Sequence, residues 1–122
     1  MALSNRATSV KETFGERLRR GRQAKKITLR KFASLINVSP TYISQIENNI
    51  SSYPTEGVIC KISRLLDENE DELLALANKI HSDLARIINR FPREVSTFLR
   101  IAQGFDRSRW KSLIKQIEQE QK

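Results

Sequence analysis

The stretch Thr28 to Asn48, TLRKFASLINVSPTYISQIEN, decides how the rest of this chain is read. Leu29, Phe32, Ala33 and Ile36 fall at i, i+3, i+4 and i+7, which puts them on one face of a helix, and Ile43 and Ile46 repeat the i, i+3 step. Between the two patterns stand Asn37, Val38 and Ser39. Asparagine tolerates the left-handed backbone that ends a helix, and Ser39 before Pro40 reads as an N-cap followed by a first-turn proline. The spacing therefore predicts that one short helix stops and another starts within three residues. Small Ala33 permits a close crossing, and Val38 fills the angle between the two helices.

The second helix shows solvent Thr41, Tyr42, Ser44 and Gln45, with Asn48 and Asn49 at its end. A buried helix of this size would not choose them, and they suit base edges and phosphates. On these residues the sequence resembles the phage repressor and Cro-like helix-turn-helix family, also called the XRE family. Phe32-Ala33 stands at the family's apolar-alanine pair, Asn37-Val38 at its glycine-hydrophobic turn, and Ile43-Ser44-Gln45-Ile46-Glu47-Asn48 at its recognition-helix ending. The match runs from about Phe14 to Ala77 and is specific in combination. It implies an all-α fold: a five-helix repressor-like domain that binds double-stranded DNA, followed here by a short helical C-terminal segment. It also implies a structural ion pair, because Arg22, five residues before Ile27, stands where the family carries an arginine that pairs with the glutamate matched by Glu47. Two departures are visible. Gly21 occupies a place where the family commonly has a large apolar residue, at a helix-interior cost of about 1 kcal/mol against alanine; Ser51 and Ser52 stand where relatives often have basic residues.

Composition narrows the class of function. The chain has 122 residues, enough for one ordinary domain or a small domain with an appendage, and carries 22 Lys and Arg against 14 Asp and Glu, net +8. The excess is uneven: residues 1 to 50 hold 10 basic and 3 acidic groups, while residues 51 to 122 hold 12 and 11. A polyanion-binding first half joined to a nearly neutral second half is implied, and the polar reading residues beside the charge make nucleic acid the polyanion. One cysteine, Cys60, and one histidine, His81, exclude an internal disulfide. No His, Cys and carboxylate run has the spacing of a metal site, so no metal or cofactor is expected, and Cys60 reads as a buried helical side chain. No catalytic apparatus, Gly-rich phosphate loop, leader or apolar run near 20 residues is visible, so the expectation is a non-enzymatic, soluble, cytoplasmic protein with no membrane contact.

Taken in order, residues 1–12 lack apolar periodicity and read as a flexible tail. Residues 13–78 are the expected DNA-binding domain. Its first helix, from about Thr13, buries Phe14 and Leu18 and turns Arg17, Arg19 and Arg20 outward. Thr28 caps the second helix, whose first-turn amides, with Arg30 and Lys31, are expected to face a phosphate. Phosphate contacts are thus assigned to Arg17, Thr28, Arg30, Lys31, Ser39 and Asn48, and base reading to Thr41, Tyr42, Ser44 and Gln45. Thr55 caps a fourth helix (Val58, Ile59, Ile62, Leu65, Leu66). Asn69 precedes the acidic first turn of a fifth, Glu70 to Glu72, which reads as helix-start charge rather than a metal loop.

Residues 79–122 continue as three more helical patterns, the second opened by Pro92 and the third capped by Asp106. Val95, Phe98 and Leu99 with Trp110, Leu113, Ile114 and Ile117 are more apolar surface than three short helices hide among themselves. The pattern is met by packing on the chain's own domain, on a second copy, or on another protein. The reading adopted is a homodimeric, sequence-specific transcriptional repressor at a pseudo-palindromic operator. The alternative is a DNA-binding antitoxin or regulator whose C-terminal helices mainly hold a toxin, peptidase or other protein.

Overall fold

The structure, a computed structural model, describes residues 12–50 and 52–122. The tail expected over residues 1–12 and the departure at Ser51 lie outside them, except for Glu12. All the described secondary structure is helical, and it divides into two compact units, the first ending at His81 and the second being Ser82–Lys122. That division falls three residues beyond the boundary expected after Asn78. No described helix is long and apolar enough to cross a membrane.

The first unit contains α1 (Phe14–Ala24), α2 (Leu29–Leu35), α3 (Pro40–Glu47), α4 (Glu56–Leu66) and α5 (Glu70–Leu76). Each starts at a side-chain cap: Thr13, Thr28, Ser39, Thr55 and Asn69 each accept a hydrogen bond from a first-turn amide. These caps satisfy donors that a helix start otherwise leaves open, each contributing about 1 kcal/mol. Thr13 goes further and forms a reciprocal box with Glu16. Helix ends are also local: Lys26, Asn37, Asn49, Asp67 and Asn78 all take positive φ, so asparagine does here what glycine commonly does.

One core results. Phe14 and Leu18 of α1, Phe32, Ala33 and Ile36, Ile43 and Ile46, Ile59, Ile62 and Leu66, and Leu73, Leu74 and Ala77 form a single buried cluster. Leu29, Val38, Tyr42, Val58, Leu65 and Leu76 pack against its margin. Two glycines let α1 approach its neighbours. A Cβ on Gly15 would lie 2.2 Å from the Ile46 carbonyl oxygen and 2.9 Å from that of Glu47, so α1 crosses the end of α3 backbone to backbone. Gly21, awkward in the sequence, is buried and leaves room for Leu66, whose Cδ1 would stand 2.9 Å from an added Cβ.

The second unit contains α6 (Ser82–Arg90), α7 (Pro92–Ala102) and α8 (Arg107–Glu120). Pro92 opens α7, and the Asp106 carboxylate caps α8 by accepting from the Arg109 amide at 2.8 Å. Trp110 makes edge-to-face contacts with Phe98 and Phe105, at centroid distances of 5.9 and 5.6 Å. Of the described apolar side chains on these helices only Ala102 is fully buried.

The glycine contacts predict opposite outcomes for one substitution. Gly15→Ala should lower stability by about 1 to 3 kcal/mol, since a carbonyl cannot yield as a side-chain tip can. Gly57→Ala, whose Cβ would meet only the Thr55 hydroxyl at 4.0 Å, should raise it by a few tenths to about 1 kcal/mol. Urea denaturation followed by circular dichroism reads both; a neutral Gly15→Ala would contradict the close crossing.

Candidate nucleic-acid interface

The surface centres on α3, and its orientation is set from beneath. Glu47 ends that helix with a side chain only 1% exposed, where an unpaired carboxylate would carry a large desolvation cost. Arg22 of α1 meets it with both prongs of its fork, Nε donating to Oε2 at 2.7 Å and Nη2 to Oε1 at 3.0 Å. The remaining nitrogen, Nη1, donates to the Ile27 carbonyl at 2.8 Å. The hydrogen bond to Glu47 raises the Arg22 pKa above its ordinary value, against the opposing effect of burial. Arg19 adds a more exposed contact, Nε to Glu47 Oε1 at 3.3 Å.

With Ile43, Ile46 and Glu47 facing inward, the helical period turns Thr41, Ser44, Gln45 and Asn48 outward together. Thr41 and Gln45 are exposed, one turn apart on the same stripe. Ser44 is half-buried: its carbonyl accepts from Asn48 Nδ2 at 2.8 Å, while Asn48 Oδ1 accepts from Arg19 Nη2 at 2.7 Å. Asn48 is thus held in place between two partners. Tyr42 stands on the flank, its ring half-buried against the core. The Ser39 and Thr28 hydroxyls accept from the amides of Tyr42 and Lys31, each at 3.1 Å, and both residues are exposed. Arg30 and Lys31 lie in the first turn of α2, exposed and without a side-chain partner among the described residues.

Arg17 needs a correction. Its guanidinium donates to Glu68 and Glu72, and it is mostly buried, so it braces α1 against the start of α5 instead of facing solvent for a phosphate. The reason is long-range: those acids lie 51 and 55 positions away and reach Arg17 only when α5 folds back on α1. Arg20 is likewise engaged, by both oxygens of Glu12 at 2.7 and 2.9 Å, and Lys25 pairs with Asp67. Sequence reading also missed Arg19 as a second partner of Glu47, and Gly15 as the residue that admits α3; neither has a local signal.

Two helices meeting across Asn37–Ser39, the second presenting a polar stripe, define the arrangement. A helix-turn-helix domain family matches residues 15–79. The chain belongs to this family. An uncharacterized HTH-type transcriptional regulator, RghRB, of Bacillus subtilis (strain 168) is 32% identical over 82 residues, covering 67% of this chain. This chain spans about half, 53%, of that relative's length. Among solved structures, a SinR protein/SinI protein complex matches 89% of this chain and 98% of the matched one at 19% identity, with a TM-score of 0.50, a likeness of fold. The clp gene regulator ClgR from Corynebacterium glutamicum matches 73% of this chain and 88% of its own at 21% identity, with a TM-score of 0.47.

The two arginines on Glu47 should differ in weight. Arg22→Met leaves a buried carboxylate with one weak partner and should cost about 3 to 5 kcal/mol. Arg19→Met removes a largely solvated contact and should cost under about 1 kcal/mol. Urea midpoints of the two variants check this, and equal losses would contradict the assignment of the clamp to Arg22.

Proposed function

We propose that this protein is a sequence-specific DNA-binding transcriptional regulator, acting as a repressor that binds a pseudo-palindromic operator as a dimer. The activity is binding, with no catalytic step. The observation that carries the reading is the outward stripe of α3, with Thr41 and Gln45 exposed on a helix whose inner face is fixed by the Arg22–Glu47 pair. A helix so presented fits the major groove, which admits an α-helix and displays a distinct donor and acceptor pattern for each base pair. Gln45 offers an amide that pairs bidentately with adenine. Thr41 and Tyr42 stand nearer the helix start, where inserted helices reach base edges, and Ser44 lies beside them.

Phosphate contacts fall to Thr28, Arg30, Lys31, Ser39 and Asn48, with Arg17 left out because it is engaged elsewhere. Arg30 and Lys31 supply the point charges, so binding releases counterions and weakens as salt rises. The base contacts of one small domain discriminate poorly alone, and two tethered copies make the second half-site contact effectively intramolecular. The second unit has the surface for this tether. Leu99, Ile114 and Ile117 are 49%, 52% and 44% exposed, Phe98 is 41% exposed, and Val95, Trp110 and Leu113 lie half-buried beside them. Ile101, 66% exposed, extends the same apolar surface.

A second reading gives that surface to a different protein, with DNA binding secondary. It is favoured by the same exposed side chains and by the neighbouring fold having been solved as a SinR protein/SinI protein complex.

Two measurements separate these parts. In anisotropy titrations, Gln45→Ala should lose about 1 to 3 kcal/mol of discrimination at one base pair per half-site. Arg30→Ala should weaken all duplexes alike and lower the salt slope by about 1 per subunit. Indistinguishable profiles for the two variants would refute the division into reading and anchoring residues. Light scattering at about tens of micromolar, where even weak association registers, should show a dimer that Leu99→Glu with Ile114→Glu converts to monomer. A monomeric parent chain would transfer the apolar surface to the second reading.

A further inference from the structure

The chain's one cysteine and one histidine give no ligand spacing in sequence, yet they converge in the first unit. Glu56 and Cys60 are four residues apart on α4 and share a face; Glu70 opens α5; His81 ends the unit. Ligand atoms of Glu56, Cys60 and His81 all lie within 4.8 Å of one another. His81 Nδ1 is 3.8 Å from Glu56 Oε2, and Nε2 is 3.5 Å from Glu70 Oε2. The Nδ1–Glu56 separation exceeds a good hydrogen bond. It lies close to the edge of a tetrahedron around zinc, which is roughly 3.3 to 3.6 Å for ligands at ordinary Zn–N, Zn–O and Zn–S distances.

We propose that Glu56, Cys60 and His81 bind a divalent transition-metal ion of borderline softness, zinc being the best match, with the Glu70 carboxylate beside the imidazole Nε2. One thiolate, one imidazole and one carboxylate select zinc or cobalt over calcium and magnesium, which take oxygen ligands. Nδ1, which faces Glu56, is the ligating nitrogen. Nε2–H then donates to Glu70, the outer carboxylate that commonly orients a metal-bound histidine. Charge supports the assignment. A dication placed there displaces the thiol proton to solvent. With a thiolate, two carboxylates and Arg64, whose Nε is 3.6 Å from Glu70, the local charge then sums to zero.

The side chains of His81, Glu56 and Glu70 are 28%, 35% and 32% exposed, so the ion can enter from solvent and keep water in a fourth position. Bound metal would pin the last residue of the first unit to α4. This site is separate from α3 and does not depend on DNA recognition.

The test is titration of the full reduced chain with Co²⁺, reading the thiolate-to-cobalt charge-transfer absorption, followed by displacement with Zn²⁺, Mg²⁺ and Ca²⁺. With a single cysteine in the chain, any such band reports Cys60. The expected result is one saturable Co²⁺ per chain, displaced by Zn²⁺ and unaffected by excess Mg²⁺ or Ca²⁺. Cys60→Ser should abolish the band. His81→Gln, at a partly exposed position where folding tolerates change, should weaken Zn²⁺ binding at least tenfold, and Glu70→Gln about tenfold as an outer-shell loss. Circular dichroism of metal-free His81→Gln should match the parent chain. Absence of a thiolate band, or Zn²⁺ affinity unchanged in both Cys60→Ser and His81→Gln, would overturn the proposal.

Discussion

A carboxylate buried at the end of a helix has to be met, and Glu47 is met by Arg22 in a two-pronged contact. Much of the first unit follows from this one constraint. The pair requires α1 to lie across the end of α3, which in turn requires a residue without a side chain at the crossing, and Gly15 is there. With its inner face pinned by an ion pair and by Ile43 and Ile46, α3 has one rotational setting. The setting leaves Thr41 and Gln45 outward. A recognition surface of short polar side chains depends on such rigidity, because a small rotation of the helix would change which groups reach a base edge.

The same contacts revise the meaning of the charge. Ten basic residues in the first fifty suggest a surface bristling with phosphate ligands, but Arg17, Arg19, Arg20, Arg22 and Lys25 are each paired with an acidic or amide side chain. Pairing leaves the overall excess of +8 unchanged, and that net charge still attracts a polyanion at long range. Close contact is a different matter, and the groups open to it are those such as Arg30 and Lys31 that have no internal partner among the described residues. Composition therefore describes attraction better than it describes anchoring.

What was legible in the sequence is what is decided within a turn of helix. Thr28, Ser39, Thr55, Asn69 and Asp106 cap because an oxygen three residues before an amide needs nothing else, and Asn37 takes its positive φ for a similarly local reason. The Arg22–Glu47 pairing came from likeness to a family, since 25 residues separate the partners and periodicity cannot join them. Nothing local announced Arg17 with Glu68, Gly15 against a carbonyl, or Cys60 beside His81, because each depends on where separate helices come to lie. In the second unit the apolar stripes were plain, and the structure adds that Leu99, Ile101 and Ile114 stay largely open to solvent.

The account's central claim is that α3 reads duplex DNA from a fixed setting, twice per assembly. Selection of bound duplexes from a random pool, followed by sequencing, tests it most directly. The account predicts enrichment of a two-fold repeat whose half-sites lie one helical turn apart, roughly 34 Å from centre to centre. Recovered sequences that share no motif, or a motif without two-fold repetition, would contradict it.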